Sequence, residues 1–231
     1  MSVSRRTLRH VRLLAPVPDE ALANIAQLCR WQEFQARKQI VAHNDDSREV
    51  FFVAYGRVKV ALLSRGGREV SYREIGAGDM FGEFAAIDGG PRSSNVIALE
   101  DCLVAAMPQD TFWRILRDYP EVAAELLKAH VKLIRLYSER IFEFTALAVT
   151  NRIHAELLRL ARANMSDDNT AAIYPTPTHP AIASRVSTHR EAVTREFSSL
   201  TRKGIIERRD DRLYVLDVAR LEKMVREVAD P

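Results

Sequence analysis

The chain has 231 residues, of which 47% are hydrophobic, and its 34 lysines and arginines against 31 aspartates and glutamates give a formal net charge of +3. This length and composition predict two small globular domains, and the near-balanced charge excludes a polycation that coats nucleic acid without selection. No apolar run approaches the roughly 20 residues that span a bilayer, and none follows the basic N-terminus, so we expect a cytoplasmic protein without a membrane partner.

The cysteines and histidines give no support to a metal centre. Cys29 and Cys102 stand far apart and outside any C-x-x-C pair, and none of the six histidines has another three or four residues away. We therefore expect two buried thiols and no metal.

The first half of the chain alternates short β-like runs with turns, after a helix that begins at Asp19 and uses Leu22, Ile25, Ala26 and Cys29 as its inner face. Strands this short and frequent predict a closed antiparallel roll or barrel, and hence an α+β protein. The runs are Val50–Val53, Arg57–Leu63, Glu69–Tyr72, Asn95–Ala98 and Cys102–Ala105, with turns at Tyr55-Gly56, Arg65-Gly66-Gly67, Gly76–Asp79 and Asp88–Pro91.

A helix from Thr111 and a long helix after Pro120 follow. Along residues 121–144, about 36 Å of helix, apolar side chains recur at alternating spacings of four and three, which is typical of a coiled-coil seam and predicts a homodimer. The alternative is a helix packed on its own domain, because one stripe does not identify the surface that covers it. The stripe comprises Val122, Leu126, Ala129, Leu133 and Leu136.

Residues 178–200 have the pattern of a helix-turn-helix. Ile182, Ala183 and Val186 form one short apolar face, Ser187-Thr188-His189 interrupts it, and Val193, Phe197 and Leu200 form a second face. Arg190, Glu191 and Arg195 point away from that second face, where a recognition helix presents arginine to guanine and glutamate to cytosine. The alternative is an ordinary solvated helix face.

Two β-rich runs follow a predicted helix end at Gly204 and form a candidate wing around the charged turn Asp210-Asp211. Between Arg185 and Arg209 there are seven basic and three acidic residues, so positive charge is concentrated in this segment. Arg209 in the wing, with Thr178 and His189 before the two helices, completes the predicted set of DNA-binding residues.

A second group of polar residues lies in the roll. Gly82-Glu83-Phe84 predicts a turn into a short helix with free backbone N–H groups, and Arg92, after Gly-Gly-Pro, offers a fork of donors for a phosphate. Glu83 suits a ribose hydroxyl, and Ser93 adds a small donor. The alternatives are a surface ion pair for Arg92 and a plain turn at Gly82.

The order of roll, long helix and winged helix-turn-helix resembles the cyclic-AMP receptor protein branch of the CRP/FNR superfamily of bacterial transcription regulators. The resemblance rests on Gly82-Glu83-Phe84, Pro91-Arg92-Ser93 and Arg190-Glu191-x-x-x-Arg195, and covers nearly the whole chain. It implies a roll over 1–120, a dimerisation helix and hinge over 121–147, and a DNA-binding domain over 148–231. It also implies cyclic AMP held by Gly82, Glu83, Phe84, Arg92 and Ser93, a palindromic operator read by Arg190, Glu191 and Arg195, and RNA polymerase as a partner.

Departures from the family pattern are informative. Tyr137 and Ser138 occupy the positions that touch the adenine in the family. Because a phenol can both donate and accept a hydrogen bond, cyclic GMP is an alternative effector. Ala148 stands where the family has a helix-capping aspartate and cannot accept a hydrogen bond, and Pro180 suits a first helical turn. The N-terminal cysteine cluster of the oxygen-sensing branch is absent, which disfavours an iron–sulfur sensor.

Two other functions are alternatives to a regulator activated by a cyclic nucleotide. One is a DNA-binding regulator that needs no ligand or senses another metabolite or a haem gas. The other is an enzyme, which no motif supports, because the sequence has no Gly-x-Ser-x-Gly, Walker or His-Glu-x-x-His pattern.

Overall fold

The computed structural model describes residues 7–63, 69–166 and 168–229. They form two compact units, one of residues 7–63 and 71–134 and the other of residues 69–70 and 135–229. The boundary between the units falls inside a long helix, between Ile134 and Arg135.

The first unit begins with a short 3-10 helix, Arg12–Leu14, and helix α1, Asp19–Leu28. Two acidic residues in the first turn of α1 favour a helix start, because they face the positive end of the helix dipole. Leu22 and Ile25 of α1 are buried, as predicted, and so is Cys29 directly after it.

Two four-stranded sheets form the body of this unit and confirm the predicted roll. One has the order β1-β8-β3-β6 and the other β2-β7-β4-β5. The strands β1, β2 and β6 were not predicted, and the turn predicted at residues 65–67 lies outside the described residues. The strands are β1 Arg30–Phe34, β2 Gln39–Val41, β3 Val50–Tyr55, β4 Arg57–Leu63, β5 Glu69–Gly76, β6 Met80–Phe81, β7 Asn95–Ala98 and β8 Cys102–Met107.

Strand β3 is central to its sheet and buried on both faces. Because successive side chains of a strand point to opposite faces, Val50 and Phe52 join the core against the helices, whereas Phe51 and Val53 join the core between the sheets. Every residue of the neighbouring strand β8 is buried for the same reason. A continuous apolar run such as 50–53 is therefore typical of a two-sided strand.

Three helices complete the first unit: α2, Glu83–Asp88; α3, Gln109–Asp118; and α4, Pro120–Ala146, whose second half belongs to the other unit. Helix α4 corrects the predicted dimer seam. Val122 and Leu126 pack in the core of the first unit and Leu133 is buried, whereas Ala129 is exposed and Leu136 half-buried. The alternative, a stripe packed on its own domain, holds for Val122 and Leu126.

A second apolar stripe on α4 is exposed. Leu127, Val131 and Ile134 are 68%, 50% and 63% exposed and repeat at spacings of four and three, like the stripe that is buried. The alternating spacing of four and three correctly predicts a helix with an apolar face, but two faces of α4 share this spacing, so it does not identify which of them is exposed. In the part of the chain that the structure describes, no helix is both long and apolar enough to cross a membrane.

The second unit has the predicted winged helix-turn-helix. Its core lies within residues 153–221 and includes Leu157, Ile182, Val193, Leu200 and Val215. Its strands form the sheet β10-β11-β9. The elements are α5 Val149–Arg162, β9 Ala171–Ile173, α6 His179–Arg185, α7 Arg190–Arg202, β10 Ile206–Arg209, β11 Arg212–Val215 and α8 Val218–Ala229.

The end of α7 explains how the wing begins. The helix stops at Arg202, Lys203 is its C-cap, and Gly204 follows with a φ of +67°. Glycine adopts this left-handed conformation without the steric cost of a Cβ, which makes it the usual residue one position beyond a helix end. Gly204 therefore turns the chain into the hairpin of β10 and β11.

Candidate functional site

The recognition helix α7 has one buried and one exposed face. Val193 and Phe197 are buried in the core, whereas Arg190, Glu191 and Arg195 are exposed. Arg190 and Glu191 are the first two residues of the helix, which is the end that a recognition helix directs into the major groove. The three predicted reading residues are therefore accessible on one face of α7.

The predicted residues before the two helices have different local roles. Thr178 is the N-cap of α6, and its Oγ1 accepts a hydrogen bond from the Ala181 backbone N–H at 3.3 Å. Pro180 lies in the first turn of that helix, where it was expected to be tolerated. His189 is the N-cap of α7, is exposed, and makes no side-chain cap bond.

In the wing, Arg209 is exposed but partnered. Its guanidinium lies 2.5 Å from a Glu207 carboxylate oxygen and 5.3 Å from the centre of the Tyr214 ring. The hydrogen bond that Arg209 donates to the Glu207 carboxylate raises the pKa of Arg209 above its ordinary value. A phosphate contact by Arg209 would have to compete with Glu207.

Arg185 does not belong to the exposed basic surface, although the sequence analysis counted it there. Its side chain is only 17% exposed and donates to Glu156 of α5 at 3.1 Å. Glu156 is itself 2% exposed and also accepts from Arg140 of α4, at 2.9 Å, and from Arg159. One buried carboxylate thus joins the end of α4 to α5 and α6.

The segment between α4 and α5 is held by Arg152. Ala148 is the N-cap of α5 and makes no side-chain cap bond, which confirms that the cap expected of the family is missing. Arg152 donates instead to three carbonyl oxygens: that of Leu147 at 3.2 Å, and those of Val186 and Ser187, at 3.0 and 3.5 Å, in the turn of the helix-turn-helix. Arg152 and Glu156 carry no local sequence signal, because their partners are up to 35 residues away.

The candidate effector site in the first unit is built around a tight turn. Gly82 has a φ of +83° and is the N-cap of α2, as the predicted turn into a short helix requires. A Cβ at this position would lie 2.7 Å from Nη1 of Arg92 and 3.1 Å from the Glu49 carbonyl oxygen. Only glycine fits here without displacing the arginine.

Arg92 is buried, with 2% of its surface exposed. Its Nε donates to Ser47 Oγ at 3.0 Å, and its Nη1 and Nη2 donate to the carbonyl oxygens of Gly82 and Glu49 at 2.8 and 2.9 Å. Burial lowers the pKa of the guanidinium, and neighbouring carboxylates, Glu49 first among them, act in the opposite direction. The fork is fixed as predicted, but a phosphate would have to share or replace these bonds.

Glu83, the first residue of α2, is 5% exposed and lies 3.8 Å from Nε2 of His130 on α4. Nδ1 of His130 is 2.8 Å from the Leu126 carbonyl oxygen, so Nδ1 carries a proton, and Nε2 is buried without a hydrogen-bond partner among the described residues. The Phe84 ring, 37% exposed, lies 5.7 Å from the His130 ring. His130 was not among the predicted residues.

Glu83 and His130 line a cavity of about 160 Å³ between β5, β6, the start of α2 and α4. Arg73 also lines it and donates to the Met80 carbonyl oxygen at 3.2 Å. The other lining residues are Glu74, Ile75, Asp79, Met80, Ala129 and Leu133.

The remaining predicted effector residues are Ser93 in the first unit and Tyr137 and Ser138 in the second. Ser93 is exposed beside Arg92 in the chain, while Tyr137 is half-buried and Ser138 exposed on the second half of α4. Their contact with a ligand stays a prediction. Across the described residues, no group of three or more histidine, cysteine or acidic side chains could hold a metal ion.

Comparisons with known proteins match a known domain in each half of the chain. Residues 31–119 match the cyclic nucleotide-binding domain, and residues 151–224 match the Crp-like helix-turn-helix domain. The protein is thus a transcription regulator in which a nucleotide-sensing roll precedes a DNA-binding domain.

Relatives and solved structures cover almost the whole chain. A CRP-like cAMP-activated global transcriptional regulator of Mycobacterium tuberculosis is 24% identical over 91% of this chain and 94% of its own. A CooA mutant from Carboxydothermus hydrogenoformans has a TM-score of 0.81 and 20% identity, over 93% of this chain and 95% of its own. The c-di-GMP responsive global regulator CLP of Xanthomonas campestris has a TM-score of 0.70 and 18% identity, over 82% and 94%. The chain belongs to the CRP/FNR superfamily, a family of transcription regulators and not of enzymes.

Proposed function

We propose that the chain acts as a homodimer, reads a palindromic DNA site through Arg190, Glu191 and Arg195, and is activated by a cyclic nucleotide, with cyclic AMP as the first candidate. The observation that carries the proposal is the two-faced recognition helix, which exposes these three side chains and buries Val193 and Phe197 in its core.

Chemistry assigns each reading residue a role. Arginine donates two parallel bonds to guanine, and glutamate accepts from the cytosine amino group, so Arg190, Glu191 and Arg195 read sequence. Thr178, His189 and Arg209 flank them and serve the sugar-phosphate backbone, which sets register without reading sequence. RNA polymerase remains the partner that the family resemblance implies.

The exposed stripe on α4 supports a homodimer. A second copy of the chain would cover Leu127 and Val131, and each such side chain taken out of water stabilises by about 1.5–3 kcal/mol. A two-fold axis along this helix also presents two recognition helices to half-sites one duplex turn apart, roughly 34–36 Å.

The effector proposal rests on Arg92 and Glu83, two buried side chains of opposite charge: Arg92 donates to the Gly82 carbonyl oxygen, and Glu83 follows Gly82 in the chain. A buried guanidinium suits a cyclic phosphate and a buried carboxylate suits a ribose hydroxyl, so the residues fit a cyclic nucleotide. Cyclic AMP is favoured because the mycobacterial relative is named as cAMP-activated. Tyr137 and Ser138 are the proposed base contacts, and they leave cyclic GMP as the alternative.

A second candidate is a regulator that needs no ligand or senses another small molecule. The observation that favours it is Arg92, whose three side-chain nitrogens all donate to protein acceptors. The Xanthomonas regulator, which shares the fold, is described as c-di-GMP responsive, so the effector can differ between proteins of this fold.

A selection experiment tests both candidates. The full chain would be bound to a randomised duplex pool without nucleotide, with cyclic AMP and with cyclic GMP, and the bound duplexes sequenced. A palindrome enriched only with one nucleotide supports the proposal. Equal enrichment in all three conditions, with nucleotide binding shown by calorimetry, favours a regulator that needs no ligand. No enrichment in any condition refutes activation of sequence-specific reading by either nucleotide.

Replacing Arg92 tests whether nucleotide binding in the first domain controls DNA binding by the second. Arg92→Leu should lose nucleotide binding and nucleotide-stimulated DNA binding together, while Arg117→Leu, an exposed arginine at the end of α3, should lose neither. Because Arg92 is buried, circular dichroism must first show that the variant is folded. A folded Arg92→Leu variant that keeps nucleotide-stimulated DNA binding would remove Arg92 from the site.

A further inference from the structure

His179, the first residue of α6, lies between the recognition helix and the wing. Its Nδ1 is 2.8 Å from Thr194 Oγ1 of α7, and its ring packs against the Phe197 ring edge-on, with centres 4.9 Å apart. These two contacts fix the ring in position and in rotation. The sequence analysis passed over His179, because nothing local distinguishes it from a helix-start residue.

The hydrogen-bond network determines which ring nitrogen carries the proton. Thr194 Oγ1 donates its own hydrogen to the Arg190 carbonyl oxygen at 3.0 Å, so towards His179 it can only accept. Nδ1 of His179 is therefore the donor. Nε2 has no recorded partner among the described residues and becomes a second donor only when the ring is protonated.

Two arginines contribute positive charge near this ring. Burial lowers the pKa of His179 below its ordinary value, and Arg190 of α7 and Arg208 of β10 lower it further. Both arginines are exposed, one on the reading helix and one on the wing. An anion placed beside the ring would act against the two positive charges and raise the pKa of His179 again.

We propose that His179 is a DNA-phosphate contact whose Nε2 takes up a proton as the duplex binds. The proposal rests on the proposed DNA-binding function and adds to it a residue and a dependence on pH. A backbone phosphate is the anion that DNA presents between a reading helix and a wing, and a charged N–H donor is its usual partner.

The direction of the pH effect follows from linkage. Because the proton is bound more tightly in the complex than in the free protein, DNA affinity rises as pH falls, and it levels off below the pKa of the free protein. One proton gives at most about a tenfold gain in affinity for each pH unit. A phosphate contact carries no base information, so operator and scrambled duplexes show the same slope.

The test is fluorescence anisotropy of the full chain on both duplexes, with saturating cyclic AMP, from about pH 5.5 to about pH 8.5, on either side of the ordinary histidine pKa. His179→Asn keeps a donor near the Nδ1 position but does not titrate. It should flatten the pH slope on both duplexes, whereas His179→Arg should bind tightly at every pH. The control His43→Asn changes an exposed histidine of the first unit and should keep the wild-type slope.

Superimposable pH profiles for the wild type and His179→Asn would overturn the proposal. His189 is an exposed histidine near this half-buried one, so a slope lost in His189→Asn and kept in His179→Asn would also overturn the proposal. Wild-type protein that binds neither duplex at any pH would refute the DNA-binding function itself. That result is distinguishable from pH-independent binding, which refutes only the role of His179.

Discussion

Glu156→Gln should loosen the second unit of the protein. Glu156 is 2% exposed and accepts from Arg140, Arg159 and Arg185, whose side chains are 12%, 31% and 17% exposed. Removing one partner of a buried ion pair costs about 3–5 kcal/mol when the charge left behind has no other partner. Arg140 and Arg159 also contact Glu143, at 3.7 and 2.6 Å, so Arg185 loses most when Glu156 is neutralised. We expect about 3 kcal/mol here, since the glutamine oxygen still accepts from one arginine.

Amide hydrogen exchange can measure this locally. A loss of 3 kcal/mol corresponds to exchange more than about a hundredfold faster for amides protected by opening of this unit. The amides to follow are those of α5 and α6. Both tryptophans, Trp31 and Trp113, lie in the first unit, so their fluorescence should stay unchanged and report that the first unit is intact.

The matched control is Glu227→Gln, which removes an exposed carboxylate 3.7 Å from Lys223 on α8. Surface pairs of this kind contribute at most about 1 kcal/mol, so exchange should change little. If Glu156→Gln exchanged no faster than Glu227→Gln, the three arginines would not depend on Glu156, and the reasoning would be wrong.

Three further sets of substitutions test other parts of the structure. Arg190→Ala should relax one guanine preference per half-site by about 1–3 kcal/mol, whereas Arg209→Ala should weaken all duplexes alike; unchanged preferences in duplex selection would contradict the reading role. Val131→Asp on the exposed stripe should give monomers in analytical ultracentrifugation, and Lys132→Asp on another face of α4 should stay dimeric; a dimeric Val131→Asp would place the interface elsewhere. Gly82→Ala should abolish cyclic-nucleotide binding in calorimetry, because its Cβ would meet Arg92; unaltered binding would show that the turn gives way.

Local periodicity predicted the elements that carry their own pattern. The recognition helix was found because Val193, Phe197 and Leu200 mark its buried face, and β3 because Val50–Val53 is a continuous apolar run. Strand β1 escaped because its exposed residues make it resemble a loop, and only pairing with β8 identifies it.

Contacts between residues far apart in the chain could not be predicted from the sequence. The seam was assigned to Leu126 and Leu133 because α4 carries two apolar stripes with one spacing, and only the fold shows that the stripe with Leu127 and Val131 is exposed. The role of His179 depends in the same way on partners that the chain brings from α7 and β10.

Arg152 limits how the second unit can move. Its guanidinium contacts the carbonyl oxygen of Leu147, at the junction of α4 and α5, and those of Val186 and Ser187, directly before the recognition helix. Bending at the junction would therefore stretch bonds at the turn. The angle between α4 and α5 and the orientation of α7 should therefore change together. A change in that angle would reach α7 through the hydrogen bonds of Arg152.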